Sequence, residues 1–426
     1  MKNSLERKAF VYLGSAKEQD LPLGTLFEDD VLGNVSYSFE FEESFLKSHN
    51  ENALLLDPDL YFYSGRQYVT AKKPIFGFIA DSAPDRWGRL LRQTYEMRRA
   101  KEENRPFKPL TEFDYLLGVS DQARMGALRF KKEKDGQFLS SDIDSPIPPL
   151  TSLRDLEEAA YEIDQGHMIS DGKLRCLLAP GSSLGGARPK ASICFPDGSL
   201  WIAKFPAKND KCNVSGLEMI AHDMAQKCLI DVPEAKLDKF SDRGYTFLTK
   251  RFDRHGNKRL HFSSAMALLG KKDGEEASYL DIVSFLKSYG SPQRLKQSLE
   301  ELFTRMVFNI MISNTDDHLR NHGFLLKEDG WAISPAYDIN PSAEKKTLTL
   351  SLDGYDRTLN LDCALRISPY FGLTEKEAKE KTSFLSKTIT DSLVPLSKKY
   401  EIANSDYELL RNACQCALTY ALSVSA

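Results

Sequence analysis

The pattern of this chain changes near residue 255. Before that point short apolar segments alternate with turns; after it long helical periods dominate. Residues 9–13 end in Gly14, residues 24–27 run into Asp29-Asp30, and residues 35–41 alternate apolar and polar side chains at the period of a half-buried strand. Residues 174–206 read as strands joined by glycine turns, followed by a helix at 213–229 and strands between 234 and 251. In the second part, 279–288, 292–313, 374–390 and 405–423 read as helices. One hairpin interrupts them, with 323–326 and 331–334 flanking the turn Lys327-Glu328-Asp329-Gly330. A β-rich part followed by an α-rich part predicts an α+β protein of two lobes with a cleft between them.

Several boundaries are marked by single residues. A helix begins after Pro84, where proline favours a start, and the charged stretch 98–109 with its two prolines reads as a loop. Residues 131–150 read as a linker, charged and then rich in proline. Thr151 or Ser152 is placed to cap the helix 151–165.

Composition removes whole classes of function. A chain of 426 residues with 41% hydrophobic and 28% charged residues lies in the globular range, so disorder and fibrous folds are not expected. The net charge of −4 gives no overall attraction to nucleic acid or to anionic membranes. Seven cysteines, an odd number with no C-x-x-C pair, argue against a disulfide framework or a cysteine zinc site and fit a reducing cytoplasm. No apolar run approaches the roughly 20 residues that span a bilayer, and the N-terminus lacks the apolar stretch of a signal peptide.

The segment that carries chemistry is residues 313–321, Ser-Asn-Thr-Asp-Asp-His-Leu-Arg-Asn. Asp316 and Asn321 have the spacing D-x-x-x-x-N, which in protein kinases supplies a catalytic base and a magnesium ligand. Phosphoryl transfer needs a carboxylate to take the acceptor's proton and oxygen ligands for a hard cation. The spacing alone recurs by chance, and a capped helix end gives the same pattern. Its context strengthens it: a hairpin follows at once, and Asp338 follows the hairpin, the order in which kinases place their metal aspartate. Asp338 lies between Tyr337 and Ile339 rather than before Phe-Gly. His318 is placed to contact the moving phosphoryl group. The spacing of His318 and His322 would also suit zinc, but the H-E-x-x-H motif is absent.

Upstream, residues 180–190 form a glycine-rich turn that brings backbone N–H groups towards phosphate, although it matches no formal phosphate-loop motif. Lys204 ends an apolar strand-like segment, as the ATP lysine of a kinase does, and Glu218 fourteen residues on is its candidate ion-pair partner. A solvated edge lysine and a solvated helix glutamate are the plainer readings of these two.

With these residues in view, the chain resembles the HipA-type serine/threonine kinases, toxins of bacterial toxin–antitoxin pairs. The resemblance covers most of the chain. It rests on residues 76–78 (Phe-Gly-Phe), 81–89 (Asp-Ser-Ala-Pro-Asp-Arg-Trp-Gly-Arg), 114–119, 126–130, 181–190, 250–254 (Lys-Arg-Phe-Asp-Arg) and 314–321. It implies four segments: a HipA-type N-terminal subdomain at 1–130, a linker at 131–150, the ATP-binding part of the N-lobe at 151–252, and a helical C-lobe at 253–426. It implies ATP and Mg²⁺ as cofactors, with Asp316 as base and Asn321 and Asp338 as metal ligands. Ser183, Gly185, Gly186, Lys204, Glu218 and His318 would lie about the ATP phosphates, and Lys250 to Phe252 would form the hinge beside adenine.

Ser183, or its neighbour Ser182, would be the autophosphorylated serine that silences such kinases, since a phosphate of about −2 charge does not stay packed against ATP. The implied substrate class is an aminoacyl-tRNA synthetase, the glutamate enzyme. The implied partners are a helix-turn-helix antitoxin and, through it, operator DNA, with no membrane. Asp317 departs from the family pattern as a second carboxylate beside the base, with no role assigned, and Arg320 stands where lysine is frequent. Two other functions remain open to this sequence: a non-catalytic module that binds antitoxin or operator, and a kinase acting on a small molecule.

Overall fold

The structure is a computed structural model that describes residues 4–14, 20–48, 54–70, 73–139, 147–178, 186, 188–256, 258–342 and 345–425. Ser182, Ser183 and Gly185 of the glycine-rich turn lie outside the described residues. The chain forms two compact units. The first comprises residues 1–208 and 250–272, the second residues 209–249 and 273–426. The stretch 151–252 is shared between both units.

In the first unit, strands β1 (Ser4–Leu13), β2 (Leu21–Val31), β3 (Asn34–Phe41), β4 (Gln67–Tyr68) and β5 (Leu128–Lys131) form an antiparallel sheet in the order β4-β3-β2-β1-β5. Leu32 and Gly33 turn β2 into β3 with positive φ at both positions, the two-residue turn whose twist suits a hairpin. Gly24 is needed for contact between the strands: a Cβ there would stand 2.3 Å from the Glu40 carbonyl oxygen. In the core Phe39 meets Phe41, Phe76 and Phe78 edge to face, and Phe41 stacks on Phe45.

The helix Arg86–Glu102 starts where Pro84 predicts, capped by Asp85, whose Oδ1 accepts from the Gly88 N–H at 2.8 Å. It continues through residues 98–102, expected as loop. Arg98, Arg99, Ala100, Lys101 and Glu102 all have good helix propensity, and Arg99 pairs with Glu103 at 2.8 Å. Residues 150–152 form a 3₁₀ turn before the helix Leu153–Asp164. Ser152 occupies the cap position but makes no side-chain cap bond. Residues Asp171–Leu178 form a helix where strand and turn were expected, with Leu174, Leu177 and Leu178 buried at helical spacing. Strands β6 (Lys190–Cys194) and β7 (Leu200–Lys204) make an antiparallel hairpin in which Lys190 stands opposite Lys204.

A buried ion network fastens residues 250–259 to 120–129. Arg251 and Arg254 both pair with Asp253, at 2.7 and 2.5 Å, and both donate to the Arg124 carbonyl oxygen. Asp253 in turn accepts from the Gly126 N–H at 2.7 Å. Burial pushes the Asp253 carboxyl up, but the two guanidiniums more than offset this and leave it near 2.

The second unit is mainly helical. Strands β8 (Ala235–Ser241) and β9 (Gly244–Lys250) form a hairpin, of which Lys250 itself falls in the first unit. The helix Leu295–Met311 is the core element, with Leu302, Phe303, Met306, Ile310 and Met311 fully enclosed. The helix Tyr279–Tyr289 opens with the capping box Ser278–Asp281, and Glu375–Lys399 with Thr374–Glu377. The stretch expected as one helix at 405–423 is two, Asn404–Ala413 and Gln415–Ser425. The expected hairpin forms from Gly323–Lys327 and Gly330–Ile333, burying Phe324 and Trp331.

Candidate functional site

The loop 313–321 is built from the end of the core helix. Ser313 adopts a left-handed φ of 52°. Its N–H donates to the Ile310 carbonyl at 3.2 Å, and the Asn314 N–H reaches back to the Asn309 carbonyl at 2.8 Å. These are the two bonds of a Schellman stop, made here without glycine. The Ser313 hydroxyl donates to the Ala413 carbonyl oxygen at 2.6 Å, which gives the strained residue a buried partner.

Beyond the stop the chain turns at Thr315 and Asp316 and is docked. The Thr315 carbonyl accepts from the Thr349 N–H at 3.0 Å, and the Asp317 carbonyl accepts from the Leu350 N–H at 3.1 Å. Thr315 and Asp317 are buried, while Asp316 lies at the surface with its side chain 71% exposed, 3.7 Å from the Lys345 ammonium. The sequence left the two aspartates hard to separate; their burial separates them. His318 is partly buried, and its carbonyl accepts from the Asn321 N–H at 2.8 Å. The Asn321 amide nitrogen donates to the Asp316 carbonyl at 3.4 Å, which leaves its oxygen as the free end of the amide.

Asp317 is enclosed. It accepts hydrogen bonds from the Tyr279 hydroxyl and from His322 Nε2, the latter at 2.9 Å. Burial pushes its carboxyl up, but the facing His322 and these bonds offset that and hold it below the ordinary carboxylate value. Burial, then the Asp317 charge, push the Tyr279 hydroxyl well above its ordinary value.

Asp338 has φ 58°, a left-handed backbone, and its Oδ1 accepts from the Asn340 amide at 3.1 Å. The segment around it rests on the loop: the Tyr337 hydroxyl donates to the Arg320 carbonyl at 2.6 Å. Asn314, Asp317, Asn321, His322, Tyr337 and Ile339 line one small cavity, so both neighbours of Asp338 face the segment that carries Asn321. The Asn321 amide and the Asp338 carboxylate are hard oxygen donors on adjoining segments, a donor set that suits Mg²⁺.

The remaining candidates divide between the units. Lys204 ends β7 in the first unit and is buried; Glu218 is buried in the helix Val214–Lys227 of the second. Gly186 has φ +91°, and a Cβ there would lie 3.6 Å from the Lys190 ammonium. Lys250 and Phe252 flank Arg251 where the chain enters the first unit from the second, and Phe252 packs on Phe262 with ring centroids 5.9 Å apart.

Two further residues, to which the sequence assigned no role, hold these elements. Lys190 is buried and pairs with Asp85 at 2.8 Å, and its carbonyl accepts from the Trp87 indole at 3.0 Å. The sequence signal was that Lys190 ends one of the resembling motifs, 181–190, and that Asp85 and Trp87 lie in another, 81–89. Tyr279 carried no signal at all.

Residues 182–393 match the sequence model of the HipA-like C-terminal domain. No curated protein matches the chain significantly. Among solved structures, the chain is similar to one from a Shewanella oneidensis MR-1 complex of the toxin–antitoxin system HipA, HipB and its operator DNA. Identity is 15%, coverage is 97% of both chains and the TM-score is 0.65, so the two share a fold. A second similar chain is the Helicobacter pylori proinflammatory kinase CtkA, with 19% identity, 58% of this chain and 96% of that one covered, and a TM-score of 0.38.

Proposed function

This chain is a HipA-type protein by its C-terminal domain, and on that premise we propose that it is a protein kinase that transfers the γ-phosphoryl group of ATP to a serine or threonine hydroxyl. The observation that carries the reading is the loop itself: within the HipA-like stretch 182–393, Asp316 is the outward carboxylate and Asn321 is held by the same turn. A base for a protein acceptor must be reachable, and the exposure of Asp316 meets that need.

In this mechanism the acceptor hydroxyl gives its proton to the Asp316 carboxylate as its oxygen bonds to the γ-phosphorus. The bond from that phosphorus to the β–γ bridging oxygen breaks, and ADP leaves. Lys204 orients the α and β phosphates, and Lys250 and Phe252 flank the adenine. His318 donates to an oxygen of the transferred group. Asn321 and Asp338 would hold Mg²⁺, which when bound neutralises phosphate charge.

We assign the chain the role of a growth-inhibiting toxin with an aminoacyl-tRNA synthetase as substrate class. The similar Shewanella chain comes from a complex with HipB and operator DNA, which supports an antitoxin as the partner of this one. Ser183, or Ser182, is the proposed site of self-inactivation.

The test is transfer of ³²P from ATP with magnesium to the chain itself or to cell extract. Transfer is expected from the unphosphorylated wild type. Asp316→Gln should slow it by about 10²- to 10⁴-fold with ATP binding retained. A wild type that binds ATP and transfers nothing would overturn the reading.

A further inference from the structure

Asp317 is a full negative charge with almost no access to water, its side chain 4% exposed. A buried carboxylate is costly unless its lone pairs are met, and a well-packed apolar residue serves stability at least as well. What the charge gains is geometry. Its two donors come from different elements: Tyr279 is the first residue of the helix Tyr279–Tyr289, and His322 follows the turn Leu319–Asn321 and leads into the hairpin. The network reaches further. The Asn309 amide donates to the Tyr279 hydroxyl at 3.2 Å, and the Asn314 amide donates to Asn309 Oδ1 at 3.1 Å. One carboxylate thus ties the start of the loop at Asn314, its middle, and its end at His322 to two helices.

We propose that Asp317 is the positioning residue of this loop: held by Tyr279 and His322, it fixes the stretch 315–317 so that Asp316 faces outward and Asn321 keeps its place. The inference rests on the kinase reading, because Asp316 and Asn321 matter only if phosphate is transferred. Without the anchor, the side chain presented outward is no longer fixed, although the nucleotide still binds.

The test uses the full chain with Asp317→Asn, a change of charge with little change of shape. Three quantities are measured: ATP turnover, ATP affinity by direct titration, and amide hydrogen exchange over 313–322. Turnover should fall by about 10²-fold, as misplaced catalytic groups do. ATP affinity should stay within about twofold, and exchange should quicken. Tyr279→Phe, which keeps the ring, should give a smaller loss of turnover and add nothing in the Asp317→Asn background, since both remove the same anchor. If Asp317→Asn does not fold, Tyr279→Phe and His322→Gln carry the same comparison.

Turnover within about twofold of wild type in the folded variants would overturn the proposal. So would a loss of ATP affinity equal to the loss of turnover, which marks general damage. A wild type without transfer would sink the kinase reading instead, and hydrogen exchange then judges the anchor alone: unchanged protection at 313–322 overturns it.

Discussion

Asp338 occupies a left-handed backbone that costs a non-glycine residue about 1–2 kcal/mol. Asparagine and aspartate tolerate that region better than other side chains, so Asp338→Asn separates charge from backbone strain where Asp338→Ala would mix them. Asparagine retains one ligating oxygen but no negative charge. Half-saturating magnesium should therefore rise by about tenfold or more, read from nucleotide binding titrated with the metal. An unchanged magnesium dependence would remove Asp338 from the ligand set. The same scale shows what a one-letter code hides. Asp316 and Asp317 are identical in sequence terms, and only the docking of 315–317 along 349–350 sends one to water and the other into a cage.

At the scale of elements, the N-terminus of the helix Arg86–Glu102 is fastened to the first residue of β6. Asp85 caps the helix with one oxygen and pairs with Lys190 through the other, while Trp87 holds the Lys190 carbonyl. Lys190 faces Lys204 across the hairpin, and two like charges directly opposed are unfavourable, so the Asp85 carboxylate also relieves that pair. Asp85→Asn keeps a competent cap and removes the ion pair. It should cost about 3 kcal/mol of stability, checked by denaturant unfolding, and a loss under about 0.5 kcal/mol would show the pair to be dispensable. Elements with strong local signals were legible in the sequence: the helix after Pro84, the hairpin around Gly330, the capped helix at Thr374. The helix Asp171–Leu178 was not, since three leucines beside a glycine-rich turn do not distinguish helix from strand over eight residues. Nor was the cage of Asp317, because Tyr279 lies 38 residues away and only tertiary packing brings it near.

For the whole molecule, pH is set against one buried imidazole. Burial pulls His261 down to about 4, below its ordinary value of about 6.5. The unfolded chain takes up this proton first. The contribution is therefore complete above about pH 6.5 and is lost as pH falls towards 4, to an extent of about 3 kcal/mol. Denaturant midpoints at pH 7 and pH 4.5 should differ less in His261→Leu than in wild type; equal differences would refute the assignment. The division of the chain has a consequence for synthesis. The first unit closes only with residues 250–272, which bring Arg251 and Arg254 to the carbonyl oxygens of 123–126 and Arg259 to Asp121. A nascent chain released to residue 208 has most of that unit's sequence and none of those guanidiniums. It must wait while the whole excursion 209–249 is translated, exposing the polar groups that the later segment covers. A ribosome stalled in that interval would carry a protease-sensitive amino-terminal half, and one stalled well past residue 272 a resistant one.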